Sequence, residues 1–64
     1  MVTINGQQEV AAGRSIAEWL ASAGYSERMI AVEHNGEIIS AEQYPQVLLH
    51  DGDVLEIVCF MGGG

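Results

Sequence analysis

Gly62, Gly63 and Gly64 close the sequence, directly after an apolar stretch that reads "EIVCF". Three residues without side chains have nothing to pack, and each loses more conformational entropy on being fixed than any other residue type. They also make the thinnest peptide available, able to enter a channel that any Cβ would block. The chemistry such a segment suits is that of its own carboxylate. We expect Gly64 to be the site of covalent activation, with Gly62 and Gly63 supplying the reach to insert it into another protein's active site. Composition by itself leaves two other readings open: a frayed or vector-derived end, or a flexible linker, although a linker needs something beyond it.

Other reactive residue types are placed less suggestively. His34 and His50 lack cysteine or carboxylate partners at zinc-binding spacings, and each lies beside a turn, where a solvated histidine is ordinary, so no metal site is expected. Cys59 falls in the phase expected to face a covering helix, which predicts an inert buried thiol and not a nucleophile. Ser15 and Glu18 form the spacing of a capping box, a structural role that accounts for both. The only glycine cluster closes the chain instead of opening a helix, so it is not a phosphate-cradling loop.

The elements that must position the terminus can be read from periodicity. Asn5-Gly6 separates two β-rich runs, predicting a tight hairpin with strands near 2–5 and 7–11. Ile16, Trp19, Leu20 and Ala23 then recur at helical spacing, from the Ser15 cap to Gly24, which suits a left-handed C-terminal cap; the helix is placed at 15–23. A second Asn-Gly pair at 35–36 predicts another hairpin, with strands near 29–34 and 37–39. Ser40 and Gln43 would cap one short helical turn that Pro45 limits, Asp51-Gly52-Asp53 is a turn, and "VLEIVCF" is the last strand. Within it, Glu56 should face away from the helix. Val58 and Phe60 share its phase and are expected to stand exposed as a partner-docking patch beside the tail, or, on the blander reading, to let Phe60 pack on a neighbouring loop. The expected organisation is a domain over residues 1–60 and a flexible glycine tail over 61–64.

Composition bounds the partners. The 64 residues carry nine acidic side chains against only two basic ones, a formal charge of −7. Phosphate backbones are gripped by Lys and Arg, so neither nucleic acid nor an anionic membrane is an expected partner; a protein with a basic face fits better. A single cysteine builds no disulfide framework, and the opening residues show neither the basic nor the apolar region of a signal peptide, which points to the cytoplasm. A chain this short builds one modest core, better suited to presenting a surface or a tail than to enclosing a catalytic cavity.

The β-β-α-β-β-β order with a terminal glycine pair resembles the ubiquitin-like β-grasp fold. The segments "EHNGEIISAEQY", "DGDVLEIV" and "FMGGG" are similar to the ThiS family of thiamin-biosynthesis sulfur carriers, over nearly the whole chain. The resemblance implies an α+β fold with a mixed sheet and one main helix packed on one face. It also implies a protein that is not an enzyme and binds no cofactor itself. A partner adenylating enzyme of the ThiF type would spend ATP to convert the Gly64 carboxylate to an acyl-adenylate. A cysteine-desulfurase relay would then replace AMP with sulfur, giving a thiocarboxylate, and a thiazole synthase of the ThiG type would take up that sulfur. The same pattern leaves room for a carrier serving another pathway, as the molybdopterin-synthase small subunit does, or for a ubiquitin-like protein modifier.

Overall fold

The computed structural model describes residues 1–60. Strands β1 (Val2–Ile4) and β2 (Gln7–Glu9) form a hairpin, followed by helix α1 (Ile16–Ala23), a second hairpin of β3 (Ile30–His34) and β4 (Glu37–Ile39), and the last strand β5 (Val54–Cys59). Single 3-10 turns occupy Glu27–Met29 and Ala41–Gln43, the second where Ser40 and Gln43 predict a helical turn. The sheet order is β2-β1-β5-β3-β4, so the strand that comes last in the chain lies at the centre. It runs parallel to β1 and antiparallel to β3, which makes the sheet mixed, as the resemblance implies.

Both hairpins turn on Asn-Gly. Asn5 and Asn35 each sit at φ 51°, with Gly6 at 83° and Gly36 at 88°, the pair of left-handed residues that matches the twist of a two-residue hairpin. The asparagines also do something that turn statistics do not reveal. Asn5 Oδ1 accepts the Ile57 N–H at 2.7 Å, and Asn35 Oδ1 accepts the Val54 N–H at 2.8 Å. Each hairpin tip therefore reaches across and holds the backbone of β5.

Helix α1 is stapled at its start. Ser15 Oγ accepts the Glu18 N–H while Glu18 Oε1 accepts the Ser15 N–H, at 3.0 and 2.8 Å. The exposed donors of the first turn are taken up by the long connection before β5: Ile16 N–H donates to the Val47 carbonyl and Ala17 N–H to that of Tyr44. Gly24, at φ 87°, ends the helix in the left-handed conformation. Ile16 and Leu20 are buried and Trp19 half-buried, but Ala23, the last residue of the expected stripe, is exposed because the helix outruns the core there.

The core lies between this helix and one face of the sheet. Val2, Ile4, Val32, Leu55 and Ile57 meet Ile16, Leu20, Tyr44 and Leu49. Each such aliphatic side chain, fully buried, contributes roughly 1.5–3 kcal/mol. The second strand stops at Glu9, short of the expected residue 11. Ala11 leaves the ladder and tucks into the core, and Gly13 N–H donates to the Leu49 carbonyl at 2.8 Å.

Replacing Asn5 by Gly keeps the turn and removes only the side-chain acceptor, which leaves the Ile57 N–H without its partner. Stability measured by urea unfolding should fall by about 1 kcal/mol for Asn5→Gly, whereas Asn5→Asp, which retains the oxygen, should stay near wild type. Equal stability of wild type and Asn5→Gly would show that the bond contributes nothing.

Candidate functional site

β5 carries the chain toward the glycine tail. Leu55 and Ile57 point into the core, and Glu56 and Val58 point to the opposite, uncovered face. Val58 and Phe60 are both 55% exposed, as the alternation in the sequence predicts. Phe60 lies one residue past the strand proper, yet its N–H still donates to the Met29 carbonyl at 2.7 Å. The sheet thus grips the backbone up to the residue before Met61. The expected insertion and modification residues, Gly62, Gly63 and Gly64, and the expected tail over 61–64, lie outside the described residues.

Cys59 departs from expectation. Its phase is the core-facing one, opposite Ile30 across the β3–β5 ladder, but the thiol is exposed. Alternation fixes which face a side chain takes, not how far the covering layer extends, and here the cover ends before the last row of β5. The expectation of a buried thiol is therefore corrected.

The histidines separate. His50 is exposed, as expected of a residue beside a turn. His34 is instead only 20% exposed, and its Nε2 donates to Asp53 Oδ2 at 2.9 Å. Asp53 also accepts the His50 N–H at 2.9 Å and Asn35 Nδ2–H at 3.2 Å. Burial pushes the Asp53 carboxyl up, but these hydrogen bonds and the His34 charge outweigh it and hold the group at about 2. This cluster ties the tip of the β3–β4 hairpin to the start of β5. It is a structural brace: among the described residues no group of His, Cys, Asp and Glu could hold a metal ion. A separate groove between the β1–β2 hairpin and α1, lined by Arg14, Trp19, Ser22 and Tyr25 among others, takes no residue from β5.

What alternation within single strands does not reveal is the whole uncovered face. In the observed register Val54, Glu56 and Val58 of β5 stand beside Glu33 and Ala31 of β3, with Ile38 of β4 next to Glu33. Val54 is 42% exposed and Ile38 76%. The docking patch expected at Val58 and Phe60 is therefore one end of a larger apolar surface.

A mixed five-stranded sheet with one helix on one face, and its central strand leading to the C-terminal glycines, defines an α+β domain of the ubiquitin-like β-grasp class. The ThiS family's sequence model matches residues 2–64, and the chain belongs to that family. It is 48% identical over 50 residues to the sulfur carrier protein ThiS of Bacillus subtilis, covering 78% of this chain and 76% of that protein. It is 36% identical to ThiS of Thermus thermophilus over the full length of both. A thiazole synthase of Paramagnetospirillum magneticum is 42% identical over 98% of this chain, which spans only 20% of that longer protein. The crystal structure of the thiamine biosynthesis protein ThiS from Geobacter metallireducens superposes with a TM-score of 0.79 at 31% identity, covering 98% of this chain and 97% of that one.

The Asp53 carboxyl sits below its ordinary value of 3.8, so its contribution to stability is fully present above that value and is lost as the pH falls toward about 2. Asp53→Asn should cost up to about 2 kcal/mol at neutral pH. The gap in unfolding free energy between variant and wild type should close between pH 4 and 2. A gap that stays constant with pH would remove the carboxylate charge from the account.

Proposed function

We propose that this chain is a sulfur carrier of thiamin biosynthesis that works through the carboxylate of Gly64 and catalyses nothing itself. The observation that carries the reading is the family match, which runs to residue 64 and so takes in the glycines. A carboxylate resists substitution because its charge is delocalised and oxide is a very poor leaving group. Adenylation removes that obstacle. A Gly64 oxygen attacks the α-phosphorus of ATP in an adenylating enzyme of the ThiF type, pyrophosphate departs, and the acyl carbon now bears AMP. The terminal sulfur of a protein persulfide, supplied by a cysteine-desulfurase relay, attacks that carbon; the C–S bond forms and AMP leaves. A second thiol then takes the persulfide cysteine as a disulfide, and Gly64 keeps the sulfur as a thiocarboxylate. A thiazole synthase of the ThiG type receives it. Two relatives named thiazole synthase contain a segment similar to this chain within a polypeptide about five times as long, which supports that pairing.

The residues fit these steps. Gly64 has no side chain to crowd the tetrahedral carbon during either attack, and Gly62 and Gly63 give a narrow approach. Val58 and Phe60 supply apolar grip at the root of the tail. The formal charge of −7 favours partners with basic docking faces and disfavours nucleic acid and anionic membranes. No helix among the described residues is long and apolar enough to cross a membrane, and we place the carrier in the cytoplasm with its enzymes.

Incubation with ATP, an adenylating enzyme and a persulfide donor should give an intact mass greater by the difference between sulfur and oxygen. Removal of Gly64, or Gly64→Ala, should abolish that shift without lowering the unfolding midpoint. A wild-type chain that never gains the mass with its own organism's adenylating enzyme would overturn the reading. Phe60→Ser should weaken binding to either partner enzyme by about tenfold, the loss expected for an anchoring aromatic residue, and leave the fold intact; loss of the fold would place Phe60 in the core.

A further inference from the structure

The edge strand β2 puts two polar side chains on the side of the sheet that α1 covers. Glu9 is the ladder partner of Val2 and Gln7 that of Ile4, and directly opposed residues share a face. Val2 and Ile4 belong to the core, so Glu9 and Gln7 stand on the core side of the sheet. There a groove of about 480 Å³ lies between the first hairpin and α1. Small-molecule sites fall in the same range, about 300–1,000 Å³. Its helical wall carries Arg14, Ser22 and the rings of Trp19 and Tyr25, whose centroids lie 5.9 Å apart at 31°.

Arg14 is fixed in place before any ligand arrives. Its N–H donates to the Ala11 carbonyl at 3.2 Å, and its own carbonyl accepts the Leu49 N–H at 2.8 Å. Its Nη1 donates to Ser22 Oγ at 3.3 Å, and the Ser22 hydroxyl donates in turn to the Trp19 carbonyl at 2.8 Å. The guanidinium is thereby turned along the helix, with most of its five donors to spare. Glu9 lines the same groove, yet among the described residues neither it nor Arg14 belongs to an ion pair. An inward-pointing charge can guard a sheet edge against pairing with another chain. That role explains Glu9 but neither Arg14 nor the two rings.

Opposite charges that share a groove without touching are complemented by a ligand carrying both signs. The charge of the whole chain narrows the class further. A free anion would approach Arg14 against a formal charge of −7, and a free cation would have no use for the guanidinium. A zwitterion is neutral overall and meets both groups. We infer that the groove binds a free α-amino acid with an apolar or aromatic side chain. Its carboxylate lies on the fork of Arg14, its ammonium against Glu9, and its side chain against Trp19 and Tyr25. The site lies on the helical side of the sheet and does not rest on the carrier reading above.

Trp19 is the only tryptophan, so its fluorescence reads the groove directly. Titration of the full chain with L-phenylalanine should give a saturable change with a Kd of about 1 mM or tighter. The probes 3-phenylpropionate, which lacks the ammonium, and phenethylamine, which lacks the carboxylate, should each bind at least about tenfold more weakly. Glu9→Gln and Arg14→Gln should each weaken L-phenylalanine binding by the same factor, with thermal midpoints near that of wild type. Nuclear Overhauser effects between the ligand ring and the Trp19 indole should accompany binding to the wild type. A wild type that shows no saturable change up to roughly 10 mM would overturn the inference and leave Glu9 as an edge guard only. Equal binding of either truncated probe, or binding that both variants reproduce, would also overturn it. So would binding without contacts to Trp19, a result read on the wild type and independent of how the variants fold. None of these outcomes touches the carrier reading.

Discussion

The backbone of β5 is held from both sides by two asparagine side chains. Asn5 reaches it from the first hairpin and Asn35 from the second. The rest of the structure depends on the strand they hold, because β5 is the last strand in the chain and the middle strand of the sheet. Until it inserts, the two hairpins have no common ladder, and Leu55 and Ile57 are missing from the core that α1 covers. The Asp53 brace with His34 and Asn35 repeats the same logic at the start of the strand. The last strand of the chain is thus held at its start, along both flanks and at Phe60.

This arrangement separates the two faces of the sheet by role. The covered face holds the aliphatic core and provides the stability. The uncovered face carries Ile38, Val54, Val58 and Phe60 around Glu33 and Glu56, a composition that a solvated surface does not need. Exposed apolar residues grouped in this way suit the docking role proposed for Val58 and Phe60. Their position on β5 places this surface on the strand that runs out to Phe60, next to the end through which the proposed carrier acts.

Much of the fold was legible in the residues because local signals agreed with one another. Asn-Gly at 5–6 and 35–36, the Ser15–Glu18 box and Gly24 each specify a local conformation that the structure adopts. The alternation in β5 correctly put Val58 and Phe60 outside. What was not legible depends on register and on the extent of packing, which are long-range properties. Nothing local says that Glu33 lies opposite Glu56, that the Asn5 oxygen is spent on Ile57, or that His34 finds Asp53 nineteen positions away. Cys59 shows the same limit: its phase was read correctly and its burial was not, because the depth of the covering layer is set by α1 and the 44–49 segment, not by the strand. The reading of Gly62, Gly63 and Gly64 as chemistry rests on residue type alone, and these residues lie outside the described ones.

The parallel pairing of β1 with β5, with β3 antiparallel on the other flank, has a mechanical consequence. A pull along the chain beyond Phe60 runs down the axis of the central strand, so the hydrogen-bond rows on both flanks resist it in shear and must fail together. An edge strand pulled sideways would unzip one bond at a time. In the proposed carrier role, an enzyme that held the chain beyond Phe60 would load both ladders at once instead of unravelling the domain.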